Sequence, residues 1–275
     1  MAVFMRFPGF KDKAVTLSYD DGADADKKLV EILDRYGLKC TFNINHLGIG
    51  KGNDHTMTPE ELFALYRPGG HEIAVHGAEH FSLTEVDMAM ATRDILTNRE
   101  YLEKMTGGIV RGMAYANGAE SEAVQAMLKN CGIVYSRSVF CSHNFKLPEN
   151  WLSWWGTCHH GDKDLMELVD KFLNGPMPGY MWARHPRLFY MWGHSFEYAN
   201  NNDWHILENF GKAFEGREDV WHATNGQIYD YVQAFNSLVY SCDGTLIHNP
   251  TSTDVYLDYF RRQFVVKAGE TVKAR

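Results

Sequence analysis

Two carboxylates, Asp20 and Asp21, end the strand-like run Val15-Thr16-Leu17-Ser18-Tyr19 and precede Gly22. Like charges side by side repel, and desolvation sharpens the repulsion. A bound cation is the natural compensation. Further on, His76 and His80 stand four residues apart within GHEIAVHGAEH. On a helical turn that spacing puts both imidazoles on one face. One aspartate and two histidines suit Zn²⁺, with Fe²⁺ or Co²⁺ as alternatives, and leave positions open for water, as a catalytic ion requires. A chain with 13 histidines holds such a pair by chance often enough that HxxxH alone carries little. Its weight comes from Asp20-Asp21 standing at a strand end. The run Ile109–Met113 carries Arg111 and leads to Tyr115 and Asn117, and the run FYMWG stops at His194.

The elements that must hold these groups alternate along the chain. Strand-like runs are expected at Ala14–Tyr19, Cys40–Ile44, Glu72–Val75, Ile109–Met113, Ile133–Ser138, Leu188–Trp192 and Val220–Thr224. Between them, Ala25–Tyr36, Pro59–Tyr66, a long segment from Thr84 to about Met105, Ser121–Cys131, Asp164–Leu173, Asp203–Phe214 and Gly226–Phe235 read as helices. Thr58 with Pro59 gives a start signal, and Thr84-Glu85-Val86-Asp87 resembles a capping box. This alternation predicts a mostly parallel sheet, and about seven units suit a barrel better than an open sheet. Barrel enzymes work at the C-terminal ends of their strands, where Asp20-Asp21, His76 and His194 fall. Past Asn236 the pattern becomes short strands and turns. The expected division is therefore an α/β barrel over 1–236 and a β appendage packed on it over 237–275.

Composition bounds the partners. The chain has 275 residues, 45% of them hydrophobic, enough to bury a substantial core. Its formal charge of -8 argues against a nucleic-acid partner. Five cysteines are widely spaced with no CxxC pair, which favours reduced thiols over a zinc knuckle. With no apolar run long enough for a membrane span or a secretion signal, no membrane partner is predicted and the expected location is cytoplasmic; a secreted chain with its leader trimmed would read the same. The oligomeric state is left open.

Taken in order, these pieces resemble the NodB-like polysaccharide deacetylases, carbohydrate esterase family 4. TLSYDDG resembles that family's first motif, GHEIAVHGAEH its second, RGMAYANG its arginine motif, and YMWGH its late strand ending in histidine. The resemblance runs from residue 14 to about 200. It implies a distorted (β/α) barrel and a divalent metal, zinc first, with cobalt, iron, nickel or manganese as alternatives. It implies Asp21, His76 and His80 as metal ligands, Asp20 as general base, Arg111 as the cation holding Asp20, and His194 as general acid. The backbone N–H near Tyr115 would help bind an oxyanion. Gly77 stands where the family has Ser or Thr, the arginine motif has no proline, and no aspartate is evident to orient His194.

The implied activity is removal of acetyl groups from N-acetylated or O-acetylated sugars. The alternative is hydrolysis of a small non-sugar amide or cyclic imide; a non-catalytic sugar-binding protein would have no need of a water-activating set. Trp192, two residues from His194, is the candidate for stacking on a sugar, with Trp151, Trp154, Trp155 and Trp182 as weaker ones. His159-His160, Asn43, Asn45, His46 and His222 are further polar candidates, and Met88 and Met90 are expected in the core.

Overall fold

A computed structural model of the chain describes residues 3–49, 57–175, 185–259 and 262–274. Its strands are β1 (Phe4–Arg6), β2 (Lys13–Asp20), β3 (Cys40–Ile44), β4 (Glu72–Val75), β5 (Gly112–Ala114), β6 (Tyr135–Cys141), β7 (Trp154–Gly156), β8 (Cys158–His159), β9 (Arg187–Gly193) and β10 (Val220–His222), followed by β11 (Val239–Tyr240), β12 (Leu246–His248), β13 (Val255–Tyr259), β14 (Arg262–Val266) and β15 (Thr271–Lys273). The helices are α1 (Asp26–Arg35), α2 (Pro59–Tyr66), α3 (Met88–Thr106), α4 (Glu122–Asn130), α5 (Leu165–Asn174), α6 (Ser195–Asn201), α7 (His205–Phe214) and α8 (Asn225–Asn236).

Among the described residues, nine strands form one parallel sheet in the order β7-β6-β5-β4-β3-β2-β9-β8, with β10 also beside β2. Trp154–His159 is one segment that joins both ends. It pairs with β6 through β7 and with β9 through β8, so the sheet curls back on itself as a distorted barrel. Strand β2 lies at its centre and is buried along its whole length, as a strand covered on both faces must be. Alternate residues face opposite ways. Val15, Leu17 and Tyr19 pack with Leu29, Ile32 and Leu33 of α1, while Ala14 joins a second cluster with Trp154, Tyr190 and Ile228.

Local signals explain the helix starts. Thr58 and Glu61 form a reciprocal capping box on α2, with Pro59 in the first turn. The long helix starts later than Thr84 suggests. Asp87 is its N-cap, its carboxylate accepting from the N–H groups of Ala89 and Met90. That shift puts Met88 and Met90 on the solvent side, not in the core. Gly107, at φ +69°, ends the helix in the left-handed conformation glycine tolerates.

The last strands build two small antiparallel sheets, β1-β13-β14 and β11-β12-β15. The N-terminal strand β1 is thus paired with the tail. Tyr231 of α8 bridges the two, its hydroxyl donating to Arg6 O and accepting from Tyr256 N–H. Among the described residues, no helix is long and apolar enough to cross a membrane.

Candidate active site

The strand ends of the barrel bring the acidic pair and the histidines together, without a helix. His76 is the first residue past β4, and Gly77 and His80 both have positive φ, +80° and +59°. The loop 76–80, rather than a helical face, turns the second imidazole back onto the first, with ring centroids 4.8 Å apart. Asp21 also takes positive φ, +76°, just past the end of β2. Its Oδ1 lies 3.6 Å from Nε2 of His76 and 3.6 Å from Nε2 of His80. That oxygen is buried and has no hydrogen-bond partner among the described residues. Buried carboxylate oxygens without partners are costly, and a divalent cation bound by these three atoms fits the donor set.

The groups behind the histidines fix their state. Ala114 O lies 2.9 Å from His76 Nδ1, so Nδ1–H donates to it and the Nε2 lone pair faces the site. The backbone N–H of His76 donates to Asn98 Oδ1, and Asn98 in turn meets His46. Burial and the neighbouring His76 push His80 below the usual histidine value, toward the neutral form a ligand needs. Gly77 stands where a hydroxyl residue was expected, and Asp94 occupies that space. Asp94 Oδ1 accepts from Glu79 N–H at 2.8 Å, and a methyl at position 77 would sit 2.5 Å from Asp94 Oδ2. The loop is therefore braced by a carboxylate from α3.

Asp20 faces the barrel interior. Asn43 Nδ2 donates to its Oδ1 at 2.8 Å, and Oδ2 lies 3.8 Å from Nε2 of both His76 and His194. Its cation is Arg137, not Arg111. Arg137 is opposite Ala114 in the β5–β6 pairing, at the end of the barrel where the acidic pair lies. Arg111 precedes β5, at the far end, and forms an exposed pair with Asp230 at 2.9 Å. The expectation for Arg111 is thus corrected by strand direction: in a parallel barrel only the C-terminal ends of the strands reach the site. A lone arginine amid Tyr135-Ser136-Arg137-Ser138 was the signal available in the sequence, since a charge in a buried strand needs a partner. Burial pushes Asp20 up, but Arg137, His76 and His194 together hold it below the usual carboxylate value.

Two further expectations change. The backbone N–H of Tyr115 donates to Arg137 O at 3.0 Å, and its hydroxyl donates to Leu152 O, so that N–H is not available to an oxyanion. Trp192 is buried, with the Arg137 guanidinium 4.4 Å over its ring and His159 against it. It is packing under the arginine, not an open platform. Trp151 and Trp154 pack against Tyr229 and Tyr135, Trp155 is exposed, and Trp182 lies outside the described residues. His222 does not contribute: it is level with Val15, well below the strand ends, and its Nδ1 meets Gly37 O.

Glu197 was not foreseen. It lies one helical turn after His194, with Oε1 3.4 Å from His194 Nδ1 and Oε2 3.1 Å from Nε2 of both His159 and His160. Burial opposes charge on His194, but Glu197, Asp20 and Asp21 raise it above the usual histidine value.

Residues 8–136 match the family model for polysaccharide deacetylases. In fold and in its first two motifs, the chain is NodB-like. A Mycobacterium smegmatis protein assigned as a polysaccharide deacetylase shares the fold at 20% identity and TM-score 0.61, over 86% of this chain and 95% of that one. The allantoinase PuuE does so at 12% identity and TM-score 0.58, over 82% and 91%. The Xyl-CE4 domain of a xylanase from the hindgut metagenome of Trinervitermes trinervoides matches at 14% and 0.55, over 81% and 92%. No curated protein matches the sequence. At these identities the three structures speak for a shared NodB-type barrel alone, and the residues of this site stand on their own geometry.

Proposed function

We propose that the chain is a metal-dependent hydrolase that removes acetyl groups from N-acetylated or O-acetylated sugars. The reading is supported first by one observation: Asp21, His76 and His80 converge on a common point while Asp20, held by Arg137, stays beside it. A divalent ion bound there, zinc first, would acidify water and polarise an acetyl carbonyl. Asp20, kept ionised, takes the proton as water attacks. His194 Nε2 faces the same space, and Glu197 behind Nδ1 favours its protonated form. It delivers a proton to the departing amine or alcohol. Asn43 and Arg137 keep Asp20 from turning away.

A second reading, hydrolysis of a small non-sugar amide or cyclic imide, uses the same base and acid. It is favoured by the fold shared with an allantoinase. Release of acetate from acetylated oligosaccharides, measured beside amide and imide hydrolysis by the zinc-loaded protein, separates the two. Turnover of imides alone would replace the first reading by the second, and turnover of neither class would overturn both.

A further inference from the structure

Behind the acid histidine lies a second convergence of donor atoms. Glu197 of α6 reaches toward His159 at the end of β8 and toward His194 at the end of β9. The three ligand atoms lie within 4.8 Å of one another, and all three side chains are half-buried, open to entry from solvent. Oε1 is 3.4 Å from His194 Nδ1 and Oε2 is 3.1 Å from His159 Nε2. Bonds of about 2.0–2.1 Å around a tetrahedral zinc put neighbouring donors roughly 3.3 Å apart. The Asp21 group shows a similar spacing, 3.6 Å.

Close approach is not matched by hydrogen bonding. Both Glu197 Oε2 and His194 Nδ1 are buried and have no hydrogen-bond partner among the described residues. A carboxylate merely paired with imidazoles would align a ring N–H on an oxygen. Here the rings and the carboxylate come close without that alignment. His160 closes the side away from solvent, its ring stacked on Tyr198 at 4.0 Å.

We propose that His159 Nε2, Glu197 and His194 Nδ1 form a second site for a divalent transition ion such as Zn²⁺. Imidazole and carboxylate donors select such ions over Ca²⁺ or Mg²⁺. His159 Nδ1 accepts from Gly161 N–H at 3.1 Å, so in the free protein its proton sits on Nε2. Ion binding takes the proton off Nε2 and turns Nδ1–H away from Gly161 N–H, giving up that hydrogen bond and shifting the 159–161 turn, a cost set against the binding of a transition ion. The two sites meet at His194, whose Nε2 is 3.9 Å from Asp21 Oδ2. An ion on Nδ1 takes the place of the proton that makes this imidazole an acid. Filling the second site therefore stops turnover; this consequence, unlike the site itself, rests on the role proposed for His194.

The test is equilibrium dialysis of the metal-stripped full chain against Zn²⁺, with bound metal counted by mass spectrometry. The intact chain is expected to hold two equivalents, and His159→Ala and Glu197→Gln one each. His80→Ala is expected to hold the other one. Thermal melts check that each variant is folded, and Glu197→Gln keeps the shape of the side chain. One equivalent in the intact chain that survives His159→Ala, or two equivalents in both variants, would overturn the second site. A count that falls in His159→Ala but not in His80→Ala would leave the second site standing and remove the first. Excess Zn²⁺ is expected to slow the intact enzyme at least tenfold and to leave His159→Ala unaffected. Equal slowing of the two would show that the inhibiting ion binds elsewhere.

Discussion

Replacing Arg137 by methionine removes the cation from Asp20 while keeping much of the apolar stem. The side chains are 0% and 4% exposed, so the carboxylate left behind is uncompensated and dry. Breaking a buried pair this way costs about 3–5 kcal/mol, a large share of the 5–15 kcal/mol typical of a whole domain. The guanidinium also covers Trp192, so its loss bares that ring. Arg111→Met is the control. Its pair with Asp230 is roughly half-exposed, 41% and 50%, and such pairs contribute about 0–1 kcal/mol. Urea unfolding followed by tryptophan fluorescence measures both. Arg137→Met should unfold at much lower urea, and Arg111→Met within experimental scatter of the parent. Kinetics add a second readout. With the guanidinium gone, the lowering of Asp20 by its main cation is lost, so the acidic limb of kcat/KM should move to higher pH. Arg137→Lys should fall between, keeping the charge but losing the planar contact with Trp192. An Arg111→Met variant that is strongly destabilised or shifts the acidic limb, with Arg137→Met unaffected, would refute the assignment.

Asp20→Asn should abolish turnover and leave the bound metal unchanged, measured by acetate release beside metal analysis. His80→Ala should lose the ion held with Asp21 and His76. Gly77→Ala should destabilise by about 1–3 kcal/mol, because it forces a side chain into positive φ and against Asp94, and it should weaken metal retention in dialysis. Asp26 gives a pH-dependent stability. Burial raises its carboxyl to about 7, and its hydrogen bond from Tyr66 offsets this only in part. The folded state therefore keeps a proton that the unfolded chain gives up near 3.8. Stability falls as pH rises between those values, by at most about 4 kcal/mol. Asp26→Asn should abolish that fall, read from melting temperatures at pH 4 and pH 8.

Much of this molecule is legible along the chain because the controlling physics is local. Alternating strand and helix signals mark a parallel sheet, and Thr58-Pro59 starts α2 as a capping sequence should. Asp20, Asp21, His76, His80 and His194 stand out because polar groups ending apolar strands are few, and the structure brings all five together. What surrounds them was mostly not legible. Arg137 in a buried strand was a signal left unread, and the pairing of β5 with β6 is what brings it, not Arg111, to Asp20. The closure of the barrel runs through Trp154–His159, a segment too short and broken to read as strands. The 76–80 loop folds back through positive φ at Gly77 and His80, a backbone choice that residue types permit but do not require. Glu197 and His159 approach His194 from separate elements, and Asp94 reaches Gly77 from α3. Residue type and local spacing name the groups able to do chemistry. Their partners are set by contacts between distant segments, made only when burying the apolar faces of β2 and its neighbours pulls those segments together.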